Sequence, residues 1–371
     1  MRIWLLAENW PPRVGGIENY LTHIAAELAA QHEVTVIAPL GSLVDIGQGD
    51  SYTVITRRFF WPLIKPAWLP LYWWAKKQAS PDVIICGKGL FEGQLAKKLG
   101  VSYFVCTYAM EIKVWMQRRI TKHRLTAVLS QARGVLYIND VTRDELLAAN
   151  ITQEQLIKMP PGVDERFFNT LKTPLITSTL DHYGIRQPYI LSVGRLIERK
   201  GFLNLIEAFS KLDQTRFGQY QLVIVGQGPQ LDALRSAATD YMVTTSVKFL
   251  TNVPDKHLPA LYQGAKLFAL TPHETATDME GFGIVYLEAA ASGIPAVATK
   301  TGGAKEAVIN AETGLVVPSH NVQAITDALT RLLEDTDMQA KIGADALKHA
   351  EQARWSQAIT PLQAALKQVK N

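Results

Sequence analysis

Two glutamates, Glu280 and Glu288, stand with seven residues between them in the stretch TPHETATDMEGFGIVYLE. A carboxylate accepts hydrogen bonds through both oxygens, so two of them on one segment suit a ligand rich in hydroxyls, such as a sugar. Between them, Gly281 and Gly283 mark the point where a loop becomes the amphipathic helix GIVYLEAAASG. Free backbone N–H groups and the positive helix end then face the loop, and an anion belongs there. An isolated glutamate is most often a solvated face residue. Glu288, however, lies amid Ile284, Val285, Tyr286, Leu287 and a run of alanines, where a carboxylate needs a polar partner.

Cations are supplied by Gly194-Arg195-Leu196-Ile197-Glu198-Arg199-Lys200-Gly201, directly after the apolar run YILSV. That is the carboxyl end of a strand, where open α/β sheets bind ligands. Arg195 and Lys200 are suited to gripping a diphosphate and to supplying the positive charge that a metal ion supplies elsewhere. Arg199 reads as a solvated neighbour. Gly226-Gln227-Gly228-Pro229 follows QLVIV as a tight turn that lets backbone approach a ligand closely. A further pair, Gly15-Gly16, opens the helix IENYLTHIAAELAA. It is not GxGxxG, and no acid closes the next strand EVTVIA, so a nicotinamide site fits poorly and closure over a phosphate fits better.

The elements that must position these groups alternate between short β-type runs and helical patterns. RIWLLA, EVTVIA, DVIIC, SYFVC and GVLYI come first, with a helix from Ile17 to Ala30 among them. After Pro160–Asp164 and a polar stretch near Thr173 to Ser178 the pattern restarts with YILSVG, QLVIVG, SVKFL, KLFAL, PAVAT and GLVV, and with helices at Phe202–Leu212 and Gly283–Ala291. The spacing predicts two doubly wound parallel-sheet domains in tandem, hinged near residues 160–180. A chain of 371 residues is of the right length for two such cores. The segment from Ser356 to Lys370 carries Ile359, Leu362, Ala365, Leu366 and Val369 at helical spacing, able to pack on either domain.

Composition narrows the setting. Apolar residues make up 47% of the chain and charged ones 19%. Only Cys86 and Cys106 occur, both in apolar runs, which excludes a disulfide framework or a zinc site. The N-terminus has no signal-like apolar segment and no stretch reaches membrane-spanning length, so a cytosolic protein is expected.

Together these residues resemble the retaining enzymes of glycosyltransferase family 4, whose GT-B fold sets two Rossmann-like domains face to face across an interdomain cleft. The resemblance covers Gly15-Gly16, Pro161–Asp164, Gly194–Gly201, Val225–Pro229 and Glu280–Val297. Within it, DMEGFGIVYLEA is most similar to the branch of phosphatidylinositol mannoside mannosyltransferases. The resemblance implies an N-terminal acceptor domain over 1–165 with a crossover helix over 355–371, and a C-terminal donor domain over 166–354. It implies that Glu280 contacts hydroxyls of the transferred sugar, that Phe282 to Ile284 offer backbone amides and that Glu288 holds the ribose. Arg195 and Lys200 would bind the diphosphate, with Gly194, Gly226 and the backbone around Val253 lining the nucleotide. No divalent metal and no cofactor is expected beyond the nucleotide sugar, with GDP-mannose the first expectation and a UDP-sugar the second.

Retention implies that the sugar gains oxocarbenium character while charge grows on the departing diphosphate, stabilised by Arg195, Lys200 and the helix end. The family is thought to use a same-face displacement in which the leaving phosphate oxygen takes the acceptor's proton. Many relatives carry histidines in patterns like THGHE near the reacting sugar. Here the matching stretch is Thr107-Tyr108-Ala109-Met110-Glu111, so Tyr108 offers a hydroxyl where an imidazole is usual and only the acid Glu111 matches. His23, His32, His123 and His273 read as scattered surface residues.

Residues 57–124 hold thirteen Lys or Arg against three acids, although the whole chain carries only +4. Five of the eight tryptophans fall in the same window. Trp61, Trp68, Trp73 and Trp74 interleave with Lys76 and Lys77, and Arg118 and Arg119 follow, which is what a monotopic contact with anionic lipid requires. The plainer reading is a core-packing loop with a solvated basic helix. Nothing resembles a nucleic-acid-reading element. The expected setting is the inner face of the plasma membrane, with a lipid-linked glycan, a phospholipid or a polysaccharide as acceptor. The alternatives are a nucleotide-sugar epimerase or hydrolase on the same fold, or a nucleotide-sugar-binding partner without catalysis.

Overall fold

Short runs rich in Val, Ile and Leu, buried on both faces, become parallel strands, and the polar-faced segments between them become the covering helices. The computed structural model describes residues 1–13, 15–44, 51–57, 69–186, 188–275 and 278–369. The chain divides into two compact units, Met1–Gly162 with Trp355–Asn371, and Val163–Arg354.

Among the described residues the first unit holds seven strands: β1 Arg2–Leu6, β2 Glu33–Pro39, β3 Thr53–Arg57, β4 Val83–Cys86, β5 Tyr103–Thr107, β6 Gly134–Tyr137 and β7 Leu156–Lys158. Their order is β3-β2-β1-β4-β5-β6-β7, with every pairing parallel. The direction of winding reverses between β1 and β4. Alternation along β1 feeds two cores, Ile3 and Leu5 into one and Trp4 and Leu6 into the other. The first core also takes Leu21, Ile24 and Leu28 from the helix Gly16–Ala29.

The last helices, Trp355–Ala358 and Thr360–Lys367, lay Trp355, Ile359, Leu362 and Leu366 into that same core. Burying each aliphatic side chain contributes about 1.5–3 kcal/mol, enough to hold so short a terminal segment. Gly162 is needed at this crossing, because a Cβ there would stand 2.6 Å from the Trp355 Cα.

The second unit holds β8 Tyr189–Val193, β9 Gln221–Val225, β10 Val247–Leu250, β11 Leu267–Ala269, β12 Ala296–Thr299 and β13 Gly314–Val317. The order β10-β9-β8-β11-β12-β13, all parallel, is that of a dinucleotide-type doubly wound sheet. Winding reverses between β8 and β11, so the loops leaving those two strands border the crevice where such sheets bind ligands. Among the described residues no helix is long and apolar enough to cross a membrane.

Candidate active site

The loops leaving β8 and β11 are stitched together at the reversal point. After β8 the chain passes Gly194 and an exposed Arg195, then makes a single 3-10 turn, Glu198–Lys200, that ends on Gly201 at φ 70°. A Cβ at Gly201 would lie 1.8 Å from the Thr271 carbonyl oxygen, so only glycine allows the two loops to touch. The Thr271 hydroxyl donates to the Gly201 carbonyl at 2.8 Å, and the His273 amide donates to the Arg199 carbonyl at 2.8 Å.

This stitching brings three charges together. Lys200 Nζ lies 2.8 Å and Arg199 Nη1 2.7 Å from the same oxygen, Oε2 of Glu280. Arg199 Nε donates to Asp278 Oδ2 at 2.6 Å. Lys200, Arg199 and Glu280 are all buried, whereas Asp278 is half exposed. Burial alone would raise the Glu280 pKa, but Lys200 and Arg199 hold it below the usual carboxylate value. Burial pulls Lys200 down, with Glu280 opposing and Arg199 and Arg195 adding to the fall. Arg199 is therefore not the solvated neighbour expected from sequence, because two carboxylates from the β11 loop take up its guanidinium. His273 is likewise no surface residue. It is buried, its ring 4.2 Å from that of His320.

The backbone of Glu280 is clamped from the loop after β12. The Gly303 amide donates to the Glu280 carbonyl at 3.0 Å, and Gly302, at φ 44°, leaves no room for a Cβ, which would meet that carbonyl at 2.2 Å. This pair stands out in the sequence only as two glycines at the carboxyl end of an apolar run.

Gly226 and Gly228 serve a packing purpose. Added Cβ atoms would lie 1.9 Å from the Gly194 carbonyl oxygen and 2.3 Å from that of Leu196, and the Leu196 amide donates to the Gln227 carbonyl. The β9 turn thus supports the Gly194–Leu196 segment from below.

Past Glu280, Gly281 is half-buried, Phe282 is buried, and Gly283 at φ 84° caps the helix Ile284–Ala291, so the amides of the first turn point back toward the loop. Glu288 is buried on this helix, and the Tyr262 hydroxyl donates to its Oε2 at 2.7 Å. Burial pushes its carboxyl up to about 7, against the pull of the Tyr262 hydrogen bond and of Arg166. Val253 lies half-buried beyond β10, beside Asn252 at φ 58°.

In the first unit a second polar group gathers where β1, β4 and β5 end. Lys88 Nζ stands 3.7 Å from Glu8 Oε2. Glu92, fully buried, accepts the amides of Glu8 and Lys88, each at 2.7 Å, and so fixes both loops. Glu111 Oε1 accepts the Gly89 amide at 3.1 Å. The Glu111 Oε2 and Tyr108 hydroxyl atoms are buried with no hydrogen-bond partner among the described residues. Burial pushes the Glu111 carboxyl up to about 7, against the pull of Lys88 and the Gly89 amide. Gly15 is extended and followed by the helix that starts at Gly16, where a Cβ would meet nothing within 4 Å among the described residues. None of those residues demands glycine at position 16.

Of the basic and aromatic stretch, Trp61 and Trp68 lie outside the described residues. Trp73 is 60% exposed, and Lys76, Lys77, Arg118 and Arg119 are exposed. So are the apolar Val114 and Ile120. Trp74 departs from the expected patch, because it is partly buried, stacked on Trp4 at 5.8 Å with the Arg57 guanidinium over its ring at 4.7 Å. Among the described residues no group of three or more His, Cys, Asp or Glu converges as a metal site would require.

Two doubly wound parallel sheets, with cations, carboxylates and a helix start meeting at the winding reversal of the second, define a glycosyltransferase of the GT-B class. Sequence models agree: Glycosyltransferase Family 4 matches residues 14–167 and Glycosyl transferases group 1 matches residues 183–349. The chain is 32% identical over 361 residues, 91% of each protein, to the GDP-mannose-dependent alpha-(1-6)-phosphatidylinositol monomannoside mannosyltransferase of Mycolicibacterium smegmatis. It is 31% identical over 255 residues, 66% of this chain and 58% of the other, to a D-inositol 3-phosphate glycosyltransferase of Corynebacterium aurimucosum. Among solved structures, Anabaena Alr3699/HepE in complex with UDP matches with a TM-score of 0.82 at 20% identity, covering 100% of both chains. The protein belongs to glycosyltransferase family 4 and is a hexosyltransferase.

Proposed function

We propose that this hexosyltransferase moves mannose, with retention of configuration, from GDP-mannose to a lipid-linked or glycan acceptor. The observation that carries the donor reading is the convergence of Lys200 and Arg199 on one oxygen of Glu280, beside the start of the helix Ile284–Ala291. Diphosphate is received by Arg195, Lys200 and the amides of Phe282 to Ile284, the sugar by Glu280, the ribose by Glu288 and the base by the backbone around Val253. In the reaction the bond from C1 to the diphosphate oxygen breaks and a bond from C1 to the acceptor oxygen forms on the same face. The acceptor's proton passes to the departing phosphate oxygen. Arg195, Lys200 and the helix start hold the charge that grows there. No metal ion is assigned a part. Mannose and guanine rest on likeness to relatives whose names specify GDP-mannose.

On the acceptor side, the unpartnered Tyr108 hydroxyl and Glu111 Oε2 are suited to an acceptor hydroxyl, and the open space at Gly16 to a ligand passing close to backbone. Exposed Trp73, Lys76, Lys77, Arg118 and Arg119, with Val114 and Ile120 beside the basic residues, support contact with an anionic membrane surface. On this reading the enzyme works at the cytoplasmic face of the plasma membrane. Incubation with GDP-mannose and total polar lipids, followed by mass spectrometry, tests the assignment. Hexosylated lipid formed from GDP-mannose and not from UDP-glucose supports it; transfer from UDP-glucose alone, or donor hydrolysis without transfer, overturns it.

A further inference from the structure

Arg199 contributes to no ligand contact in the proposed function, yet its guanidinium is held by two carboxylates. It is buried, its Nε is bound to Asp278 Oδ2 at 2.6 Å, its Nη1 to Glu280 Oε2 at 2.7 Å, and its carbonyl is held by the His273 amide at 2.8 Å. Asp278 is itself fixed. Its amide donates to Thr275 Oγ1 at 2.9 Å, and the Thr275 amide donates back to its carbonyl at 2.9 Å. Asp278, Arg199 and Glu280 therefore form one rigid chain of charge-assisted hydrogen bonds. With Lys200 also on Oε2, that oxygen is fully occupied, whereas Oε1 accepts no hydrogen bond among the described residues.

We infer that Arg199, anchored by Asp278, is a positioning residue that turns Glu280 so that Oε1 faces the hexose, and that this sets the preference for a nucleotide sugar over the bare nucleoside diphosphate. The inference rests on the donor reading above. Two cations on one oxygen keep Glu280 ionised and able only to accept, so it rewards a ligand that brings a hydroxyl and gives nothing to one that ends at phosphate. Lysine cannot replace Arg199, because a single ammonium cannot present two donors in the fixed fork that reaches Asp278 and Glu280 together.

The test is calorimetric binding of GDP-mannose and of GDP to the full chain and to R199K, D278N, E280Q and the double variant R199K/E280Q. R199K is expected to weaken GDP-mannose by about tenfold or more, with GDP changed by less than about threefold. D278N, which keeps the arginine charge in place, is expected to shift the same ratio in the same direction by a smaller factor. In the E280Q background, R199K is expected to add no further loss, because it acts through Glu280. Equal weakening of both ligands by R199K, multiplicative losses in the double variant, or an unchanged ratio in D278N would each overturn the positioning role. Should R199K fail to fold, D278N alone decides. If the unmodified protein binds neither GDP nor GDP-mannose, the donor reading itself fails, which is a different result from binding without a shifted ratio.

Discussion

The Tyr262 hydroxyl and the Glu288 carboxyl are hydrogen-bonded at 2.7 Å inside the second unit, both side chains buried. The pair answers the question raised by an acid in an apolar helix face: its partner arrives from the helix Leu258–Gly264, 26 residues earlier in the chain.

A pH dependence follows. Burial raises the Glu288 carboxyl from 4.5 to about 7 in the folded state. Between those values the native protein holds a proton that the unfolded chain has released, so stability falls as pH rises through this window and the loss is complete above about pH 7. The full effect is on the order of 3 kcal/mol. Thermal unfolding of the natural protein and of Glu288→Gln from pH 5 to pH 8 checks this. The glutamine variant, which cannot ionise, should gain on the natural protein as pH rises, while losing nucleotide affinity.

Two glycines should respond in opposite ways to alanine. Gly201→Ala places a Cβ against the Thr271 carbonyl in a left-handed backbone conformation and should cost about 2–4 kcal/mol in chemical denaturation, disturbing Lys200 as well. Gly16→Ala meets open space and should leave stability within about 0.5 kcal/mol. Transfer activity should nonetheless fall if a ligand occupies that space, and unchanged activity would exclude it.

Removing the Glu280 side chain would leave buried Lys200 without its carboxylate and Arg199 with Asp278 alone, so Glu280→Ala should lose about 3–5 kcal/mol along with activity. Glu280→Gln is the cleaner variant. It keeps the shape and should lower kcat/KM about a hundredfold or more, with a smaller stability cost measured by denaturant titration.

Membrane contact is checked by sedimentation with vesicles. Binding to anionic vesicles should decline with salt and fall when Trp73, Lys76 and Lys77 are replaced together, since all three are exposed. Trp74→Ala should instead lower stability, because its ring packs on Trp4. Absence of binding at low salt contradicts the lipid reading.

Most of the architecture was legible in the residues. The apolar runs that became β1, β2, β4 to β6 and β8 to β13 announced themselves because strands covered by helices hold mostly apolar residues. β3 and β7 did not. None of their residues is buried, unlike some of those in the other edge strands β10 and β13, so no continuous apolar run marks them. Glu280, Lys200 and the glycine at 283 stood out as local patterns. Arg199 did not, because its burial comes from Asp278 and Glu280, 79 and 81 residues further on, and local sequence alone cannot show which of the three cations turn inward. The Gly302-Gly303 clamp and the burial of His273 were hidden for the same reason: each depends on a loop from another strand.

On the proposed function, the second unit holds a nucleotide sugar through Lys200 and Glu280. Calorimetric titration of GDP-mannose into the natural protein and into Lys200→Ala tests it most directly. Binding to the natural protein, weakened at least about tenfold in the variant, is the predicted result. No binding to the natural protein, or equal affinity in both, would overturn this role for Lys200.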